Sequence, residues 1–430
     1  MRDPRIQGRV RIREDFHMLR QTIGLVALAQ IATGVIAQTY ATGDPRNVGT
    51  PTYPAVCETL PAQFSTSERS TPPSSDDTSR IQSALNACAG SGKSVVLAPS
   101  GSENAFYSGK LSVNGEGLVV DSGVTLEGNN SYSSAAELIL VTGTNSFIGG
   151  QGAIDGRGDL ISGTPRLVQT SGTDNFIAYQ ITLQQAAHPN LYMEGGSGAT
   201  VYGISVLTPA NRANADGIDI DSIQDVSIVN SSIEAGDDGI AVKTNSGAAS
   251  NITVRNNRLY GTHGLSIGSQ TFKGVTNVLF SGNYVYGIDH NGIASTDANA
   301  INIKTDIDCG GLVQQVTYSN TCITQAKHLI VVNANYGSCS GTSGTPQFKN
   351  IIVNGVKAQS SVSGAYTRIE GYNSSNLAQV YLANVSLDVT TQSSDQDATA
   401  FLDKSNITPT GTNVTTSAFS TSGSVPSCSF

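Results

Sequence analysis

Three aspartates, a histidine and a lysine in this chain fall at spacings that a catalytic cluster would use. Asp216-Gly217-Ile218-Asp219-Ile220 can be laid over Asp238-Gly239-Ile240-Ala241-Val242. Below these fall His263-Gly264-Leu265-Ser266-Ile267 and Asn299-Ala300-Ile301-Asn302-Ile303. Each segment reads polar, small, apolar, polar, apolar. If they are successive rungs of one parallel sheet, equivalent positions lie about 4.8 Å apart. Asp216, Asp238 and His263 then share a column, with Asp237 beside them and Lys304 nearby. Carboxylates crowded in this way push at least one pKa upward, so one stays protonated while others stay ionised. Glycoside hydrolysis uses that division: an acid for the leaving oxygen and a base or nucleophile opposite. Taken singly, each Asp-Gly reads as a turn dipeptide, and clustered carboxylates can also hold calcium. His263 in the column and Lys304 beside it favour acid–base chemistry over both, with no metal or cofactor required.

The elements that must position these residues are short and β-rich. Val95-Val96-Leu97, Leu118-Val119-Val120, Ala136 to Leu140 and Val226 to Val229 are separated by Gly, Asn or Asp. They recur about every 20–30 residues, the period of a solenoid. A single unit cannot bury its apolar face, but stacked units can. We therefore expect an all-β fold, a right-handed parallel β-helix, as one catalytic domain over residues 76–430. One short helix is expected from Asp76 to Cys88, with Ser75, Asp76 and Asp77 as N-cap candidates and Ile81, Ala84, Leu85 and Cys88 on one face. It would cover the open N-terminal end of the coil. Residues 38–75, rich in Pro, Ser and Thr, are expected to be irregular.

Residues 1–37 read as a secretory signal peptide. Met18-Leu19-Arg20 offers a second start, the apolar run Ile23 to Ala37 follows, and Val35-Ile36-Ala37 is a small-residue cleavage pattern before Gln38. A secreted product, clear of the membrane after cleavage, is therefore expected. Six cysteines suit disulfides in that setting. We expect Cys57–Cys88 and Cys309–Cys322, although sequence does not fix the pairing. Sequons begin at Asn129, Asn230, Asn251, Asn373, Asn384, Asn406 and Asn413. The formal charge of −9 disfavours nucleic acid and anionic lipid as partners. An anionic sugar would need local cations.

Asn214-Ala215-Asp216-Gly217, Gly236-Asp237-Asp238, Thr262-His263-Gly264 and Asn302-Ile303-Lys304 together resemble the four ordered motifs of glycoside hydrolase family 28, the polygalacturonases. Those motifs read Asn-Thr-Asp, Gly/Gln-Asp-Asp, Gly/Ser-His-Gly and Arg-Ile-Lys. The resemblance runs over roughly Asp76 to Pro346 and includes the turn Gly150 to Gly156. It implies hydrolysis of α-1,4 bonds between galacturonic acid units of pectin, with inversion, by a monomer. Asp237 would be the general acid. Asp216 and Asp238 would hold and deprotonate the attacking water. His263 would tune the acid, Lys304 would bind a galacturonate carboxylate, and Tyr336 would line a subsite. Adjacent rungs place the carboxylates closer than the usual inverting separation of about 6.5–9.5 Å. A water held between carboxylates does not need that gap.

The chain departs from the pattern in three places. Ala215 replaces Thr. Gly239 replaces a Cys whose upstream partner is also missing. Asn302 replaces Arg, which removes a cation able to fork onto a carboxylate. Asn302 is expected to contact substrate. Asp219, in the column of Ser266 and Asn302, is a further candidate. Lys273 reads as a solvated turn residue, with a loop that could alternatively reach a sugar acid, and His188 and His328 read as structural. The absence of a large insertion between the motifs favours endo action. The alternatives are exo action, a rhamnogalacturonan or xylogalacturonan hydrolase of the same family, or a non-catalytic glycan-binding β-helix.

Overall fold

The computed structural model describes residues 38–339 and 344–430. The signal-peptide reading of residues 1–37 lies outside the described residues. From Val56 onward the chain winds as a right-handed parallel β-helix, and its named strands pair in parallel with strands of neighbouring coils. Most coils contribute three short strands, one to each of three sheets. The coil that carries Asp216 supplies Ile218–Asp221, Gln224–Val229 and Ser232–Glu234. The next supplies Ile240–Lys243, Ala249–Arg255 and Arg258–Tyr260. In later coils the second and third strands merge, as in Leu312–Thr324, which spans both sheets.

Strand alternation decides what is core. Side chains two apart point to the same face. Ile218 and Ile220, Ile240 and Val242, Leu265 and Ile267, and Ile301 and Ile303 therefore stack inside the coil, all fully buried. No rung could bury this stripe alone, which is why the apolar pattern must repeat. Asparagines close the turns: Asn257 Nδ2 donates to Asn283 Oδ1 of the next coil at 3.1 Å, and Asn283 Nδ2 donates to the Val254 carbonyl at 2.9 Å.

The helix runs over Thr78–Cys88 and buries Ile81, Ala84, Leu85 and Cys88 against the first coil. Asp77 holds the N-cap position without a side-chain capping bond, and Asp76 Oδ1 accepts from the Thr78 N–H at 2.9 Å. Asp77 turns instead to Arg80 and to the Tyr107 N–H. Residues 38–75 are more ordered than their composition suggests. Val56–Pro61 forms the first strand and pairs with Ser94–Ala98. Residues 39–53 form an extended strap along the outside of the neighbouring sheet. The Thr39 N–H donates to Asn350 at one end, and the Tyr53 hydroxyl donates to Gln180 at the other. No helix among the described residues is long and apolar enough to cross a membrane.

The disulfides correct one expectation. Cys57–Cys88 forms and ties the helix to the first strand, but Cys309 pairs with Cys339 and Cys322 with Cys428. Cys309 precedes the thirteen-residue strand Leu312–Thr324 and Cys322 lies near its far end. At about 3.3 Å per residue this separation far exceeds the Cα distance a disulfide spans. Each cysteine therefore finds a partner on another part of the surface. The Cys322–Cys428 bond brings the C-terminal tail back along the solenoid, where Phe430 packs edge-on against Tyr284 and Tyr286.

Candidate active site

The register of the site-bearing sheet matches the alignment of the sequence segments. Ile218 lies opposite Ile240, Ile240 opposite Leu265, and Leu265 opposite Ile301. Asp219, Ala241, Ser266 and Asn302 form the next column. Lys243 lies opposite Asp221 in its neighbouring coil. Counting on from each motif, Asp221, Lys243, Gly268 and Lys304 occupy equivalent positions. Gly268 has φ +98°, and a Cβ there would meet the Lys304 carbonyl oxygen at 1.8 Å. Glycine is thus the residue that fits between the two lysines, and both ammonium groups can reach the aspartates. The result is a cleft of about 360 Å³ lined by Asp216, Asp237, Asp238, Lys243, Lys304 and Tyr336. A larger groove of about 570 Å³, beside Tyr53, Val96 and Val119, holds no such acid–base set.

Four carboxylates meet in the cleft, and the chain supplies their counter-charges. Lys243 Nζ donates to Asp216 Oδ2 at 2.7 Å and lies 2.8 Å from Asp219 Oδ1. Lys304 Nζ donates to Asp238 Oδ1 at 3.1 Å, and the Ser266 hydroxyl donates to the same oxygen at 2.7 Å. His263 Nδ1 lies 2.9 Å from Asp237 Oδ1. Asp237, Asp238 and His263 present atoms within 4.8 Å of one another. Asp216, Asp219 and Asp238 are buried, whereas the Asp237 side chain is 24% exposed. Asp237 is therefore the carboxylate most open to a ligand.

The electrostatics follow from these contacts. Burial, and then the charge of Asp216, hold the Asp219 carboxyl well above the usual carboxylate range despite Lys243. Burial works against the Lys243 ammonium, but Asp219, Asp216 and Asp238 outweigh it and keep it charged. Burial also opposes the Lys304 ammonium, and Asp238, Tyr336 and Asp237 overcome it. For Asp237, burial raises the pKa, but the His263 hydrogen bond leads a set of opposing effects that leave it below the ordinary value. For His263, burial lowers the pKa, but the bond to Asp237 and the charges of Asp237 and Asp238 raise it overall. Both shifts favour a carboxylate on Asp237 paired with an imidazolium on His263, whereas crowding alone would raise the pKa of one of the carboxylates.

The chain as a whole is similar to known proteins. The family profile "Glycosyl hydrolases family 28" matches residues 88–406. The chain belongs to this family. It is 31% identical to an endo-polygalacturonase of Pectobacterium carotovorum subsp. carotovorum over 396 residues, 82% of this chain and 92% of that one. It is 30% identical to a polygalacturonase of Ralstonia solanacearum over 418 residues, 78% of each chain. The solved polygalacturonase of Erwinia carotovora ssp. carotovora superposes with a TM-score of 0.73 at 30% identity, covering 83% of this chain and 99% of that one.

Within this family 28 chain the predicted residues converge, with some changes of place. Tyr336 is 52% exposed and lies over Lys304, with Nζ 5.1 Å from the ring centroid. Asn302 is buried, and its Nδ2 donates to Ser266 Oγ at 3.4 Å. Asp219 reaches the cleft floor as its column predicts, but none of it is exposed, and its neighbour is Lys243 rather than solvent. Its place is beneath the ligand surface. His188, read as structural, lines the aspartate cleft, and His328 lines the adjoining cavity; burial lowers the pKa of both. Lys273 remains exposed, over the Phe272 ring. Sequence reasoning missed Lys243. Carrying the four-segment alignment on to the next outward position would have placed it in the column of Lys304. It also missed Arg166, whose guanidinium lies 3.9 Å over the Tyr192 ring at one end of the cleft.

Proposed function

We propose that the chain is a secreted, monomeric endo-polygalacturonase that hydrolyses α-1,4 bonds between galacturonate units of pectin with inversion. The observation that carries the reading is the asymmetry of the four carboxylates. Three are buried against cations or hydroxyls of the chain, and the fourth, Asp237, projects into the cleft against His263. Asp237 Oδ1 accepts from the Asp238 N–H at 2.8 Å and faces His263 Nδ1, so Oδ2 is the oxygen left to carry a transferable proton. Asp237 gives that proton to the glycosidic oxygen as the bond breaks. Asp216 and Asp238 hold a water and take its proton as it attacks the anomeric carbon from the opposite side. The acid must be loaded first. A bound polyanion adds negative charge beside Asp237 and favours its protonated form, and acidic solution acts in the same direction. Loops do not need to close one end for the chain to bind, because the cleft continues past the aspartates on both sides. Arg166 and His188 lie at one end, and Tyr366 and Arg368 lie in the adjoining cavity at the other. That favours internal cleavage.

The test is incubation with polygalacturonate, following reducing ends, viscosity and product anomer together. The expected result is a steep viscosity loss at low reducing-end release, saturated products and inverted configuration. Unsaturated products with calcium dependence would indicate elimination. Activity on rhamnogalacturonan or xylogalacturonan without activity on polygalacturonate would move the chain to another substrate within the family.

A further inference from the structure

The family resemblance places an arginine where this chain has Asn302, and the neutral amide there is turned toward Ser266. Beyond Asn302 the site-bearing sheet continues through His328–Gly337 and Tyr366–Glu370. In its register Asn302 lies opposite Val331, and Val331 opposite Arg368. Arg368 is therefore in the column of the missing arginine, two strand spacings away, about 10 Å between backbones. The intervening residue is the short Val331. Asn302, Val331 and Arg368 line one cavity of about 230 Å³, joined to the aspartate cleft at Tyr336.

The guanidinium is held but not filled. Arg368 Nη2 donates to Glu370, two residues on and on the same face of the strand. Glu370 is itself buried and fixed by Asn335 Nδ2 at 3.0 Å and Gln396 Nε2 at 2.6 Å. Arg368 Nε is buried without a hydrogen-bond partner, but the side chain as a whole is 29% exposed and lines the cavity, so the guanidinium reaches that space while its Nη2 holds Glu370. Lys243 and Lys304 are already engaged with the aspartates. Burial of His328 disfavours its charged form.

We propose that Arg368 forms a carboxylate-binding subsite for a de-esterified uronic acid unit at the Tyr366 end of the cleft, supplying from two rungs away the positive charge that Asn302 lacks. The inference rests on the polygalacturonase reading and adds a specificity residue to it. Arg368 acts on binding and takes no part in proton transfer.

The experiment compares steady-state kinetics of wild type and Arg368→Gln on polygalacturonate and on highly methyl-esterified pectin. Losing one partner of charged hydrogen bonds predicts a KM for polygalacturonate raised about tenfold or more. KM for the esterified substrate, and kcat for both, should change little. Asn302→Arg in the Arg368→Gln background should bring KM for polygalacturonate back toward wild type. If Arg368→Gln does not fold, Arg368→Met with Glu370→Gln removes both charges together and should give the same KM change. An unchanged KM for polygalacturonate, or an equal rise on both substrates, overturns the subsite. A wild type that releases no reducing ends from polygalacturonate defeats the functional reading itself, a separate outcome.

Discussion

Replacing Lys243 with methionine keeps most of the side-chain volume and removes the ammonium that lies between Asp216 and Asp219. Breaking a buried ion pair from one side costs about 3–5 kcal/mol, because a buried charge is left uncompensated. Asp219, whose pKa is already held above the usual carboxylate range, can escape part of that cost by taking a proton, which points to the lower end, about 3 kcal/mol. For a chain of this size that is a fall in Tm of roughly 3–4 °C. The sign of the pH dependence follows from the same group. An acid whose folded pKa lies above its unfolded value of about 3.9 binds more protons when folded, so stability falls as pH rises from about 4 toward the folded pKa. Lys243→Met raises that pKa further, so the loss should be larger at pH 7 than at pH 4.5. Adding Asp219→Asn removes the stranded carboxylate and should recover part of the stability, a coupling that distant, independent sites would not show. Activity should fall in Lys243→Met, because Asp216 loses the donor that orients it. Thermal unfolding of wild type, the single variants and the double variant at the two pH values, with kcat/KM for polygalacturonate, provides the check. A Lys243→Met chain with wild-type Tm at both pH values and kcat/KM within about twofold would refute the reasoning.

Asp237→Asn should fold and bind substrate normally while losing most turnover, about 10²–10⁴-fold in kcat; activity within a few-fold of wild type would remove Asp237 from the acid role. The wild-type rate should be bell-shaped in pH with an acidic optimum, and its alkaline limb should reflect loss of the Asp237 proton. His263→Ala removes the group that lowers the Asp237 pKa, leaving burial and Asp238 to raise it, so the alkaline limb of kcat/KM should move to higher pH even as kcat falls. A limb that stays in place or moves down would contradict this. Cys428→Ser opens a disulfide whose ends are 106 residues apart. It should destabilise the chain by about 2–5 kcal/mol, read as a lower Tm and faster proteolysis of the tail, with kcat unchanged.

The column that carries the chemistry was legible in the sequence because a parallel β-helix makes register local. Each coil must present the same polar, small, apolar, polar, apolar pattern to bury its Ile and Leu stripe, so laying Asp216, Asp238, His263 and Asn299 beneath one another reproduces the sheet. The helix Thr78–Cys88 was legible for the same reason, its apolar face repeating at helical spacing. What the sequence left open depends on contacts between distant parts of the chain. Cys322 meets Cys428 only because the tail folds back along the solenoid, and residues 39–53 become an extended strap only because coils far along the chain offer Asn277, Thr253 and Asn350 as partners. Lys243 showed its column in the sequence, but its bond to Asp216 and its approach to Asp219 depend on side-chain reach and burial in the folded cleft. The protonation of Asp237 is decided at the same level. Carboxylate crowding is visible in the residue types, whereas the hydrogen bond from His263 that opposes it exists only once the coils of Asp237 and His263 are stacked.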